Sequence, residues 1–226
     1  IEVKTKMRDY KLKWEKLLFI RWIVVSWILQ AVHVLDKRER IFRIFLEFLF
    51  LLPVIVIYDV SNANSKIYSI AYIISIHSLF YLFNSTWLVG YREVNKKFKG
   101  KGIQSIVDFS NYVKEDIKNC DNNAVLLYGS LPRKKYHNRS DLDIRIIRSS
   151  NDNVKLFFKA IKYRAVGIWK YKIPVDLKVV DSMDYLKKEM RDDEHPIVIS
   201  EKDSFQVFNA GASFESLEKR PNDFVK

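Results

Sequence analysis

The chain has 226 residues, of which 48% are apolar, with 39 Lys plus Arg against 27 Asp plus Glu and a formal net charge of +12. Six Gly and five Pro exclude a collagenous or low-complexity chain, and one cysteine excludes a disulfide scaffold or a cysteine-rich zinc module. The basic balance points to a polyanionic partner: nucleotide, nucleic acid or an anionic membrane surface.

The averages hide two unlike parts, with a boundary expected at residues 98/99: a membrane region over 1–98 and a soluble domain over 99–226. Residues 1–16 are polar and rich in Lys. The stretch 17–35 (LLFIRWIVVSWILQAVHVL) has the length of a membrane span. Yet Ser26, Gln30, His33 and Lys37 draw a polar stripe at helical spacing, and Trp14, Trp22 and Trp27 suit a headgroup position. It is expected to lie in the interface plane, or to span with its stripe against other helices. The loop DKRER follows. Ile41–Val60 reads as a span kinked at Pro53, with Arg43 and Glu47 paired at i and i+4. Ile67–Gly90 carries no charge over 24 positions and is the strongest span. Lys and Arg crowd the segment after it and the loop before Ile41, whereas 59–66 is nearly neutral. The positive-inside rule then predicts a hairpin with both ends cytoplasmic and a multi-pass protein whose soluble domain faces the cytosol.

The soluble part alternates helix and strand: a helix over Ile103–Cys120, strands Ala124–Tyr128, Asp143–Arg148, Val175–Val180 and Pro196–Ser200, and a helix over Val154–Arg164. This predicts an α+β or α/β arrangement around a small mixed sheet. Its informative stretch is LLYGSLPRKKYHNRSDLDIRIIR, 126–148. A strand runs into Gly129-Ser130, ten residues separate Ser130 from Asp141, and Asp141-Leu142-Asp143 enters the next strand. A later strand carries Asp176 between Val175 and Leu177.

Asp141 and Asp143, two apart on extended chain, share a face. Like charges so placed repel unless a cation sits between them, and hard oxygen ligands suit Mg²⁺, with Mn²⁺ as a substitute. A third carboxylate from Asp176 would allow two ions. Gly129-Ser130 at a strand end, expected to open a helix, offers N–H groups and a hydroxyl to phosphate.

These residues resemble the DNA polymerase β-like nucleotidyltransferase superfamily. The pattern is strand, Gly-Ser, about ten residues, Asp-x-Asp, then a distant apolar-Asp-apolar strand, and the likeness is greatest to the minimal single-domain members. It covers roughly residues 103–205. Leu131-Pro132-Arg133 departs from the small residue and Arg that often follow Gly-Ser. The resemblance implies an α+β core with a small mixed sheet and flanking helices, preceded here by an all-α transmembrane region. It also implies a magnesium-dependent transferase in which Asp141, Asp143 and Asp176 are catalytic and metal-binding. Gly129, Ser130, Arg133 and Ser140 are then expected to bind the nucleotide.

The expected reaction moves a nucleoside monophosphate from an NTP, ATP or CTP, to an acceptor at the inner leaflet and releases pyrophosphate. A lipid-linked sugar or lipid precursor is favoured, and no specific nucleic acid is expected. Nucleotidylation of a protein partner and a non-catalytic nucleotide-binding membrane scaffold are the alternatives. Arg133, Lys134, Lys135 and Arg139 are further candidates for triphosphate or lipid headgroups. Arg145 and Lys178 share the faces of Asp143 and Asp176. The aromatic run Phe157, Phe158, Tyr163, Trp169 and Tyr171 is expected in the core.

Overall fold

The structure, a computed structural model, describes residues 27–30, 35, 37–60, 63–84, 100–118, 124–138, 140–148, 153–182, 184, 186, 195–200 and 211–226. Most of the 17–35 stretch, all of 85–99, Arg139 and Cys120 lie outside the described residues.

Two long helices come first, α1 (Lys37–Val60) and α2 (Ala63–Asn84). They pack on one another: Glu47 meets His77, the rings of Phe50 and Phe80 lie 5.7 Å apart, and Tyr72 Oη donates to the Phe50 carbonyl at 3.4 Å. Their outward faces are apolar and open, with Ile44, Phe45, Phe48 and Leu49 of α1 and Ile67, Ile70, Ile73 and Ile74 of α2 all exposed. Among the described residues one helix, over Lys66–Phe83, is long and apolar enough to cross a membrane, and it is 6% buried within the protein. At about 1.5 Å per residue the 22 residues of α2 reach roughly 33 Å, against a hydrocarbon core of about 30 Å.

Helix α1 begins earlier than its apolar run. DKRER, expected as a loop, forms its first turn from Lys37 on. The expected Arg43–Glu47 pair is not made. Arg43 Nη2 donates to Glu39 at 2.5 Å, and Glu47 joins His77 instead. The reason is tertiary: Glu39 is buried against the chain beyond residue 100, so Arg43 turns toward it, and His77 of α2 offers Glu47 a closer partner. Residues 27–30 lie against α2. Gln30 Nε2 donates to the His77 carbonyl at 2.8 Å and Trp27 Nε1 to Ser78 Oγ at 3.2 Å. At least at Gln30, the polar stripe faces other helices.

From residue 100 on the described chain is α+β, a mixed four-stranded sheet with helices. In chain order come α3 (Ile103–Ile117), β1 (Ala124–Tyr128), β2 (Leu142–Ile147), α4 (Asn153–Trp169), β3 (Val175–Val180), β4 (Ile197–Ser200), α5 (Phe214–Lys219) and a closing 3₁₀ turn, Pro221–Phe224. The strand order is β3-β2-β1-β4. β1 pairs antiparallel with both β2 and β4, and β2 pairs parallel with β3, as the crossover through α4 requires. One face of the sheet packs Val125, Leu127, Ile144, Ile146, Leu177 and Val179 against Ile106, Phe109 and Val113 of α3 and Leu156, Ala160 and Tyr163 of α4. Among the described residues the opposite face carries a smaller cluster around Leu126, Tyr128 and Leu186. By the period of two, Asp143, Arg145, Asp176 and Lys178 point to this side. Of the aromatic run, Phe157 and Tyr163 are core, whereas Phe158 and Trp169 are exposed, because they fall on the outer face of α4.

The helices and the sheet are joined by buried charge. β3 is an edge strand, and its outward Val179 N–H donates to Glu39 Oε2 at 3.0 Å. Arg164 of α4 donates through Nε to the Leu177 carbonyl at 3.1 Å and through Nη2 to Glu39 Oε1 at 2.6 Å. Phe42 stacks on Phe157, 4.9 Å between centroids. The first turn of α1 thus seals a sheet edge that would otherwise expose unpaired main-chain groups. Gly100, just past the expected boundary at 98/99, donates its N–H to the Asn138 carbonyl at 2.9 Å, which ties the start of the αβ part to the loop before β2.

Candidate active site

The βαβ crossover sets the site. In the parallel β2/β3 register Asp143 stands directly beside Asp176 although 33 residues separate them in the chain. Neighbouring strands lie about 4.8 Å apart, so the two carboxyl groups meet on one face. On the other side β1 places Tyr128 opposite Asp143. The chain then leaves the sheet through Gly129, at φ +80°, a conformation that side chains disfavour. A Cβ there would lie 1.9 Å from Asp143 Oδ2. The glycine therefore serves two ends, the turn and the room for the Asp143 carboxyl.

The electrostatics of the three aspartates are coupled. Burial pushes Asp143 up to about 7, the negative charge of Asp141 and then that of Asp176 add to it, and Arg145 acts the other way. Asp143 and Asp176 are also within hydrogen-bonding range of each other. For Asp176, burial would raise the value. Arg145, then Lys178 and Arg164, more than offset this and hold it below the usual carboxylate range. Arg145 Nη2 donates to Asp176 Oδ2 at 3.1 Å.

Gly129-Ser130 does not open a helix. Residues 129–134 make one turn: Lys135 N–H donates to the Ser130 carbonyl at 2.9 Å and Lys134 N–H to the Leu131 carbonyl at 3.0 Å, with Lys134 at φ +54°. These are the paired bonds and the left-handed residue of a Schellman closure, which ends the helical geometry after a single turn. Arg133 is part of this closure, its Nε donating to the Gly129 carbonyl at 2.9 Å. Ser140 is buried in a second turn. Its Oγ accepts from the His137 N–H at 3.3 Å and its own N–H donates to the His137 carbonyl at 2.7 Å. The C-terminal tail pins the whole connection, with Tyr136 N–H donating to the Phe224 carbonyl at 3.1 Å and Lys226 N–H to the Tyr136 carbonyl at 2.9 Å.

The structure thus brings Asp141, Asp143, Asp176 and Gly129 together and places Ser130 and Arg133 at the rim. It directs the Ser140 hydroxyl into a local turn. Sequence reasoning places Arg145 on the face of Asp143, where it would screen the carboxylate, contact phosphate or pair structurally; the structure pairs it across the register with Asp176. It gives Glu39 no role, and no local signal marks that residue.

Among the described residues no group of three or more His, Cys, Asp or Glu stands together in metal-ligand geometry. The donor chemistry of Asp141 and Asp143 fits a hard divalent cation: both donors are carboxylates, and the half-buried Asp143 is pushed up by desolvation and then by its neighbours' charge, a condition that such an ion relieves. Compared with protein families, curated proteins and solved structures, the chain finds no match in any of the three.

Proposed function

We propose that this chain is a membrane-anchored nucleotidyltransferase of the polymerase β-like kind. The observation that carries the reading is the side-by-side register of Asp143 and Asp176, with Asp141 next to them and a left-handed Gly129 making room for the Asp143 carboxyl. Solvated surface charge has no need of a glycine carved out around one carboxylate.

In this reading Asp141 and Asp143 hold Mg²⁺, which supplies charge neutralisation for a nucleoside triphosphate, ATP or CTP. The main chain and hydroxyl at the Gly129-Ser130 start of the turn bind its phosphates, because the Lys134 and Lys135 N–H groups are taken up in closing it. Asp176 orients the acceptor hydroxyl and takes its proton. The acceptor oxygen forms a bond to the α-phosphorus, the bond from that phosphorus to the bridging oxygen breaks, and pyrophosphate leaves. Helix α1 past Arg43, its start being held on the sheet, and helix α2 form a hairpin in the bilayer with both ends cytoplasmic, so the protein is multi-pass. Support comes from the Lys66–Phe83 span, the exposed apolar faces of both helices and the basic flanks. The anchor favours an acceptor that lives at the inner leaflet, a lipid-linked sugar or a lipid precursor.

The test is transfer from an NTP labelled in its α-phosphate, using proteoliposomes made with a lipid extract. Label entering the organic phase supports the lipid acceptor, and label entering protein moves the acceptor to a polypeptide. With any of the four NTPs, the absence of both label and pyrophosphate would leave a non-catalytic scaffold and sink the reading.

A further inference from the structure

Arg145 is built into the carboxylate face in a way that a surface ion pair is not. Its side chain is 12% exposed against 37% for Asp176. Nη2 donates to Asp176 Oδ2 at 3.1 Å, and Nη1 donates to two main-chain carbonyls, those of Asp176 at 2.9 Å and Ile144 at 3.0 Å. Two of these acceptors are backbone oxygens, so the guanidinium keeps its place whatever rotamer Asp176 adopts. The register sets Arg145 beside Lys178, directly behind the Asp143–Asp176 row. A fixed positive charge therefore sits against one of the carboxylates that a two-ion centre would need as a free ligand. A second divalent ion at Asp176 would have to displace the guanidinium's bond and then bear its repulsion.

We propose that the site takes one divalent cation, on Asp141 and Asp143, and that Arg145 is the resident cation standing in for a second, with Asp176 as its counter-charge. This rests on the nucleotidyltransferase reading and changes its two-ion form. Arg145 is then a positioning residue: it holds Asp176 at the acceptor side of the site and supplies there a positive charge that does not depend on metal concentration.

The test is a Mn²⁺ titration of the full chain in detergent micelles, with free Mn²⁺ read by electron paramagnetic resonance and folding followed by circular dichroism. Wild type should bind one Mn²⁺, and Asp141→Asn should lose it. Arg145→Gln should gain a second site, bound about tenfold or more tightly than any second ion in wild type. Adding Asp176→Asn to it should remove that second site. Arg145→Lys, which keeps the charge, should stay at one, and Arg145→Met serves if the Gln variant fails to fold. Two ions of similar affinity in wild type, or one ion in both Arg145→Gln and Arg145→Met, would overturn the resident-cation proposal while leaving the transferase reading standing. A wild type that binds no Mn²⁺ would remove both.

Discussion

Glu39 is the residue whose loss should be felt most. Its side chain is 1% exposed and accepts from Arg43 at 2.5 Å, Arg164 at 2.6 Å and the Val179 N–H at 3.0 Å. Burial alone would raise its pKa, but Arg164 and then Arg43 hold it well below the usual carboxylate range. Its contribution is therefore present above pH 4.5 and is lost as pH falls below that value. Glu39→Ala leaves two buried guanidinium groups without their counter-charge and a sheet-edge N–H without an acceptor. Breaking a buried pair from one side costs about 3–5 kcal/mol. At about 2–4 °C per kcal/mol for a chain of this size, the melting temperature should fall by roughly 6–20 °C. The assay is thermal unfolding of the full chain in detergent, followed by circular dichroism. Glu39→Leu combined with Arg43→Met and Arg164→Met removes all three charges and should recover most of the loss. A shift under about 2 °C for Glu39→Ala would refute the view that the first turn of α1 seals the β3 edge.

Other outcomes follow from the same geometry. Without divalent ions the folded chain holds a proton on Asp143 up to about pH 7, against 3.8 for an ordinary aspartate. The folded state therefore binds more protons between those values, and stability falls as pH rises through them. Asp143→Asn removes the effect, so urea unfolding should find the variant more stable than wild type by about 1–3 kcal/mol at pH 8 and by nothing at pH 4. Gly129→Ala places a Cβ 1.9 Å from Asp143 Oδ2 at φ +80°, and should lower stability by at least about 1 kcal/mol and abolish pyrophosphate release, checked by melting and turnover on one preparation. In intact cells a cysteine at position 63 should react with an impermeant maleimide, and one at position 100 only after permeabilisation; the reverse pattern would contradict the hairpin topology.

What was legible in the sequence is what local pattern encodes. AVLLY and VDLKVV are short, buried and β-branched or aliphatic, and they form strands at the residues expected. Asp143 and Asp176 alternate with apolar neighbours, which announces a strand face but not which strands adjoin; the parallel crossover through α4 supplies that. The Gly-Ser at a strand end predicts the start of a helix after Gly129, but the Schellman bonds that stop it after one turn depend on Lys134 taking a left-handed conformation, which no local pattern announces. Arg43–Glu47 was a sound helical spacing, but a buried Glu39 and His77 of the neighbouring helix are stronger partners. Nothing local to residues 36–40 reveals that Glu39 caps a strand 140 residues away.

The most direct test of the account is pyrophosphate release by the full chain in proteoliposomes with Mg²⁺ and each NTP, wild type beside Asp141→Ala, Asp143→Ala and Asp176→Ala. Wild type should turn over with at least one NTP and no variant should, while Asp176→Ala should largely keep nucleotide binding, as a residue that acts on the acceptor would. Wild-type release that persists in Asp143→Ala would contradict the site assignment.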